Sequence, residues 1–141
     1  RLAFSITRNS SDAQEAVAEA VCRAYERYPQ LREKEKLPRW LLKITANEAR
    51  RLCQRRGRTV SLDDLPTEPA IPGRETGDDT LWQAVQTLPR DQREAVVLFY
   101  YEDLPTEEIA RIVGTSPGAV RVRLSRAREK LRSILKEGDY G

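Results

Sequence analysis

Histidine is absent from the 141 residues, and cysteine occurs only at Cys22 and Cys53. A zinc site of the usual cysteine and histidine kind would lack ligands, so no metal or other cofactor is expected. Both cysteines read instead as small apolar groups in or near a core. The missing histidine removes the commonest general base, and no glycine-rich phosphate loop or nucleophile motif replaces it, so no catalytic residue is expected and the chain does not read as an enzyme. No apolar run approaches the ~20 residues that span a bilayer, and the opening RLAFSITRNS lacks the apolar stretch of a signal peptide. The expectation is a cytoplasmic protein without membrane insertion.

What the chain has is charge, unevenly placed. Charged residues make up 33% of it, against 39% aliphatic and aromatic ones. Residues 1–58 carry 14 Lys/Arg against 7 Asp/Glu; residues 59–79 carry 1 against 6; residues 80–141 carry 10 against 9, with the cations gathered towards the end. A basic block, an acidic connector and a mixed block suggest two polyanion-binding modules joined by a segment that DNA would repel. The connector, TVSLDDLPTEPAIPGRETGDD, has three prolines, two glycines and little hydrophobic periodicity, which predicts a flexible, extended linker over 59–79. Fully stretched it would reach about 70 Å, the axial length of about twenty base pairs.

Apolar residues elsewhere recur at helical spacing, which predicts an all-α fold of two small helical domains, 1–58 and 80–138. The chain begins at Arg1 inside what reads as a helix, so the start of the first domain is expected to lie upstream of it. Ser11 with Gln14 resembles a capping box, and Val17, Ala20, Val21, Ala24 and Tyr28 fall on one face of the helix it opens. Pro29 ends that helix. Pro38 opens the next one, whose apolar side includes Leu41, Leu42, Ile44, Thr45, Ala49 and Leu52. A charged loop, Pro29 to Leu37, lies between them.

Four helices are expected after the linker. Leu81, Val85 and Leu88 mark one, and Pro89 starts a second carrying Val96, Val97, Phe99 and Tyr100. The third runs from about Thr106 to Val113, with Glu107 and Glu108 at the positive end of its dipole. Gly114 stands where a left-handed residue is needed, Ser116 is a favoured N-cap, and Pro117 suits the first turn of the fourth. This is a helix, a three-residue turn and a helix. In the fourth helix Val120, Leu124, Ala127 and Leu131 step by 4, 3 and 4 as a buried stripe, while Arg121, Arg123, Ser125, Arg126 and Arg128 fall elsewhere. Such a helix can rest on its domain and lie in a major groove. A solvated basic face is the plainer reading of the charges alone; the turn chemistry and the stripe weigh against it.

The segment LPRDQREAVVLFYYEDLPTEEIARIVGTSPGAVRVRLSRAREKL, Leu88 to Leu131, resembles the C-terminal helix-turn-helix domain of extracytoplasmic-function sigma factors, a branch of the bacterial sigma-70 family. The pattern includes Arg93, Glu94, Glu108-Ile109-Ala110, Gly114, Ser116, Gly118, Val120 and the run Arg123 to Arg128. SSDAQEAVAEAVCRAYERY followed by LPRWLLKITANEARRLCQRR is similar to the promoter-melting domain of the same family. The resemblance implies a protein that binds core RNA polymerase, gives it promoter specificity and is held by an anti-sigma factor. The second domain would read the −35 element as duplex, with Arg121, Arg123, Ser125 and Arg126 at groove or phosphate and Thr115 and Ser116 near phosphate at the helix start. The first would act on the −10 element as single strands, through Lys34, Lys36, Arg39, Lys43, Asn47, Arg50 and Arg51. Trp40 could stack on a base, though core packing is its commoner role. Asp12, Glu15 and Glu19 would face the polymerase clamp, or form a merely solvated acidic face.

The chain departs from the family's pattern in places. Ala16 and Ala18 stand where larger or amide side chains are expected on the clamp-facing helix. Ala119 and Val122 stand where hydroxyl residues are expected on the recognition helix, which implies apolar contacts there, such as with a thymine methyl. Two other readings remain open on the residues alone. In one, residues 1–58 dimerise or sense and only the last helices touch DNA, which predicts two-fold symmetric half-sites and action without polymerase. In the other, the first domain is a protein-interaction adaptor.

Overall fold

The computed structural model of the chain describes residues 1–57 and 79–138. The linker expected over 59–79 lies outside them except for Asp79, which opens a helix rather than closing the linker. The chain divides into two compact units, one holding the first three helices, the other holding most of residues 79–138.

In the first unit, α1 (Leu2–Thr7) buries Leu2, Ala3 and Ile6. It stops at Arg8, whose left-handed backbone (φ 58°, ψ 27°) lets its N–H close on Phe4 O at 2.7 Å. Burial lowers the pKa of the Arg8 guanidinium from its ordinary value by desolvation. The cap of α2 (Ser10–Arg27) is Asn9 and not Ser11: Asn9 is extended, and its Oδ1 accepts from Asp12 N at 2.9 Å. Asparagine's carbonyl reaches the third N–H of the helix from two positions earlier than the capping-box pattern suggested.

The buried stripe of α2 is Ala13, Ala16, Ala20 and Ala24, spaced by 3, 4 and 4. Val17 and Val21, expected in the core, are about half exposed, and Cys22 is exposed outside it. Size decides this outcome, because alanines let α2 approach α3 (Leu37–Arg56) closely and the larger side chains would hold the helices apart. From α3 come Ile44, Ala46, Ala49 and Leu52, all buried. Trp40 and Leu41 pack against the cluster of Ala20, Ala24 and Ile44, so Trp40 takes the core role. Between α2 and α3 the chain makes two short 3-10 turns, Tyr28–Gln30 and Lys34–Lys36.

In the second unit, α4 (Asp79–Gln86) buries Trp82, Ala84 and Val85, and Leu88 beyond it also turns inward, whereas Leu81 is exposed. The helix α5 (Arg90–Val96) runs on as a π-helical turn, Val97–Tyr101, closed by Glu102 N donating to Val97 O at 3.1 Å. One extra residue in that turn puts Leu98 inside and Tyr100 half outside. Tyr101 meets Trp82 edge to face with centroids 5.3 Å apart. Arg93 is buried and donates from Nη1 to Leu88 O at 2.8 Å, tying α5 to the end of the preceding turn. The last two helices are α6 (Thr106–Val113) and α7 (Pro117–Gly138).

Candidate nucleic-acid interfaces

The turn between α6 and α7 is built as its residues require. Gly114 is left-handed at φ 77°, ψ 42°, and its N–H bonds Ala110 O at 2.8 Å. Ser116 Oγ accepts from Ala119 N at 3.1 Å, an N-cap bond that occupies the hydroxyl as acceptor and leaves its proton available to a phosphate. Thr115 is half-buried within the same turn. Val120, Leu124 and Ala127 are buried, Leu131 partly so, and the remaining circumference of α7 carries the cations.

Those cations are not equivalent. Arg123 points back to α5, its Nε 3.8 Å from Asp91 Oδ2. Arg128 donates from Nη1 to Tyr100 Oη at 3.1 Å, again on the α5 side. Arg121 and Arg126 are exposed and have no ion pair or side-chain hydrogen bond among the described residues, and Ser125 is exposed between them. Of the expected groove residues, Arg121, Ser125 and Arg126 therefore face solvent together with Val122, and Arg123 is drawn aside. No local pattern signals that sorting, because both partners lie far away in the chain.

The expected sites in the first unit divide in the same way. Lys34 turns inward on its own loop: Nζ donates to Tyr28 O and Leu31 O, each at 2.9 Å, and lies 4.0 Å from the centroid of the Tyr28 ring. Lys36 pairs with Glu33 at 3.0 Å. On α3, Lys43 and Asn47 are exposed, one helical turn apart, while Arg39 and Arg50 are partly buried. Arg51 bonds Glu48 Oε2 at 2.8 Å, and the same oxygen lies 2.6 Å from Arg23 Nε of α2. Glu48 is buried at 7% side-chain exposure and joins the two helices. Sequence reading passed over it because a single glutamate in a basic helix looks like surface.

The expected clamp-facing carboxylates are partly engaged too. Asp12 and Glu15 both pair with Arg56 of α3, at 3.2 and 3.3 Å, and Glu19 stands 3.9 Å from Arg23. Among the described residues no group of three His, Cys, Asp or Glu side chains could hold a metal ion, and no helix is long and apolar enough to cross a membrane.

Residues 1–59 match the Sigma-70 region 2 family and residues 78–131 the Sigma-70, region 4 family. The chain is 32% identical over 141 residues to the RNA polymerase sigma factor SigV of Bacillus subtilis, covering 99% of this chain and 85% of that one. It is 31% identical over 138 residues to the ECF RNA polymerase sigma factor EcfG of Rhodopseudomonas palustris, covering 94% and 76%. Among solved structures, the sigma factor RpoE of Bartonella quintana, crystallised with the anti-sigma factor NepR, matches with a TM-score of 0.79 at 28% identity over 96% of this chain and 88% of that one. An arginine-bearing helix-turn-helix in one unit, a basic three-helix unit before it and these likenesses together establish that the chain belongs to the extracytoplasmic-function branch of the sigma-70 family, and is an RNA polymerase sigma factor.

Proposed function

We propose that the two units divide promoter recognition between them, residues 80–138 reading the −35 element as duplex and residues 1–58 acting on the −10 element after strand opening, with 59–79 as the tether. The observation that carries this reading is the pair Arg121 and Arg126, two exposed guanidinium groups without partners among the described residues, on the side of α7 away from its buried stripe. Guanidinium groups so placed can bond phosphate or the O6 and N7 edge of guanine, and the capped start of α7 offers Thr115 and Ser116 to an adjacent phosphate. Arg123, reaching back to Asp91, takes part by supporting the seating of α7 on its own unit.

In the first unit, exposed Lys43 and Asn47 on α3, flanked by Arg39 and Arg50, form the cationic face for the opened strand, and Lys34 and Lys36 shape the loop beside it. Asp12, Glu15 and Glu19 lie on α2 as a carboxylate row for the polymerase clamp. The protein acts in the cytoplasm as an initiation factor with no catalysis of its own, and an anti-sigma factor holds it as NepR holds the Bartonella protein.

The test adds purified protein to core polymerase with a promoter library and maps unpaired bases chemically. Specific initiation with opened bases near −10, weakened at the −35 element by Arg121→Glu with Arg126→Glu, is the expected result. Absence of association with core polymerase, or symmetric half-site binding by the protein alone, overturns the proposal.

A further inference from the structure

Val122 is the large apolar side chain left exposed on α7 among the described residues, at 47%. Its position comes from helical geometry. Val120 and Leu124, two residues to either side, are buried at 0% and 2%, and a step of two residues turns a helix by about 200°. Val122 therefore crowns the outward ridge, with Gly118 one turn before it and Ser125 one turn after. Gly118 contributes no side chain, and the space its Cβ would fill is open apart from Ser116 Oγ at 4.0 Å, so the helix can approach a surface closely at that end. Arg121 and Arg126 flank the ridge on its two sides.

An isopropyl group at the crown of a helix flanked by guanidinium groups meets a narrow choice of partners in a major groove. Every base-pair edge there presents donors or acceptors, and the thymine C5-methyl is the apolar exception. Set against a guanine O6 or a cytosine N4, Val122 would strip water from a polar group and return no hydrogen bond. Against a thymine methyl it loses nothing and buries apolar surface on both sides.

We infer that Val122 is a specificity-determining residue that takes the 5-methyl group of one thymine in the upstream duplex element. This rests on the reading of α7 as the duplex-binding helix and adds to it the chemical identity of one base contact. Ala119, the other small apolar residue near the start of the helix, is partly buried and shorter, and does not reach the crown.

Thymine and uracil differ by that methyl and share every hydrogen-bonding group, so the test uses them. Holoenzyme reconstituted from the full chain and core polymerase selects its upstream duplex from a library. Each thymine of the selected duplex is then replaced singly by uracil, and affinity is measured for the unaltered protein, Val122→Ala and Val122→Thr. Loss of one methyl contact is expected to weaken binding about fourfold at one position with Val122 present, and by less than about 1.5-fold at the same position in Val122→Ala. Val122→Thr keeps the shape and one of the two γ-methyls, and is expected to keep part of the preference, between the unaltered protein and Val122→Ala. Val122 is exposed and alanine favours helix, so the variants fold. The inference is overturned if no thymine-to-uracil replacement weakens binding, or if the same replacement weakens all three proteins equally. Failure to select any duplex is a different result: it removes α7 as the duplex-binding helix, and this contact with it.

Discussion

Glu48 gives the sharpest test of how the first unit holds its shape. One buried oxygen, Oε2, faces two arginines from different helices, Arg23 on α2 and Arg51 on α3. The Arg51 contact is a hydrogen bond as well as an ion pair, and the Arg23 contact is short but bent, an ion pair alone. A hydrogen bond to a charged group contributes roughly 1.5–3 kcal/mol, where a neutral one contributes about 1 kcal/mol. Both arginines are partly exposed, at 35% and 53%, and rehydrate when the carboxylate is removed, so the loss must be discounted. Glu48→Gln keeps the shape and removes the charge; the expected cost is about 1–2 kcal/mol, a fall of about 5–10 °C in melting temperature for a unit of this size. Trp40 lies in the first unit and Trp82 in the second, so tryptophan fluorescence in a Trp82→Phe background follows the first unit by itself. Pairing the substitution with Arg23→Gln in a double-mutant cycle isolates the contact between helices. A shift below about 2 °C, or a coupling energy below about 0.3 kcal/mol, would refute the account of Glu48 as the electrostatic joint between α2 and α3.

Three further outcomes are expected from the geometry. Gly114→Ala meets no atom within 4 Å of its new Cβ, so its cost of about 1–2 kcal/mol is conformational, and Gly114→Asn should recover part of it; Trp82 fluorescence on melting reads both. Lys34→Met removes two carbonyl contacts and the stacking on Tyr28, and trypsin is expected to cut after exposed Arg32 severalfold faster, with an unchanged rate counting against the loop staple. Alanine at Arg121 and Arg126 together should lower the slope of log affinity against log salt for the upstream duplex by about 2, whereas alanine at Arg123 and Arg128 should lower it by less than about 1.

The sequence was most readable where local chemistry decides. The turn at Gly114, the cap at Ser116, the start at Pro117 and the stripe of Val120, Leu124 and Ala127 all depend on neighbours within one or two turns, and each stands in the structure as its residues predict. It was least readable where a choice between faces depends on what packs opposite. On α2, valines at 17 and 21 outscore alanines on any hydrophobicity scale, yet the alanines are buried because the partner helix comes close. At Val97–Tyr101 a single π turn extends the helix, and nothing in those residues marks the extra one. The candidate contacts show the same limit. Composition identified the basic helices, but it could not separate Lys34, Arg51, Arg123 and Arg128, which are held by the protein, from Arg121, Arg126, Lys43 and Asn47, which face outward.

That separation has a physical use. A helix presenting only unpaired arginines to a polyanion could roll, because a phosphate backbone offers many equivalent positions and carries no base information. On α7 the buried stripe of Val120, Leu124 and Ala127 sets the rotation about the helix axis, and the arginines at 123 and 128, which reach Asp91 and Tyr100 of the α5 segment, add weaker exposed ties to it. On the proposed reading of α7 as the duplex-binding helix, Arg121 and Arg126 would serve as two anchors on either side of the ridge, and Val122 on that ridge would meet one base step. On that reading a helix seated by its buried stripe gives its exposed arginines a direction, which is how a strongly charged helix can discriminate between sequences while most of its attraction to DNA is blind to them.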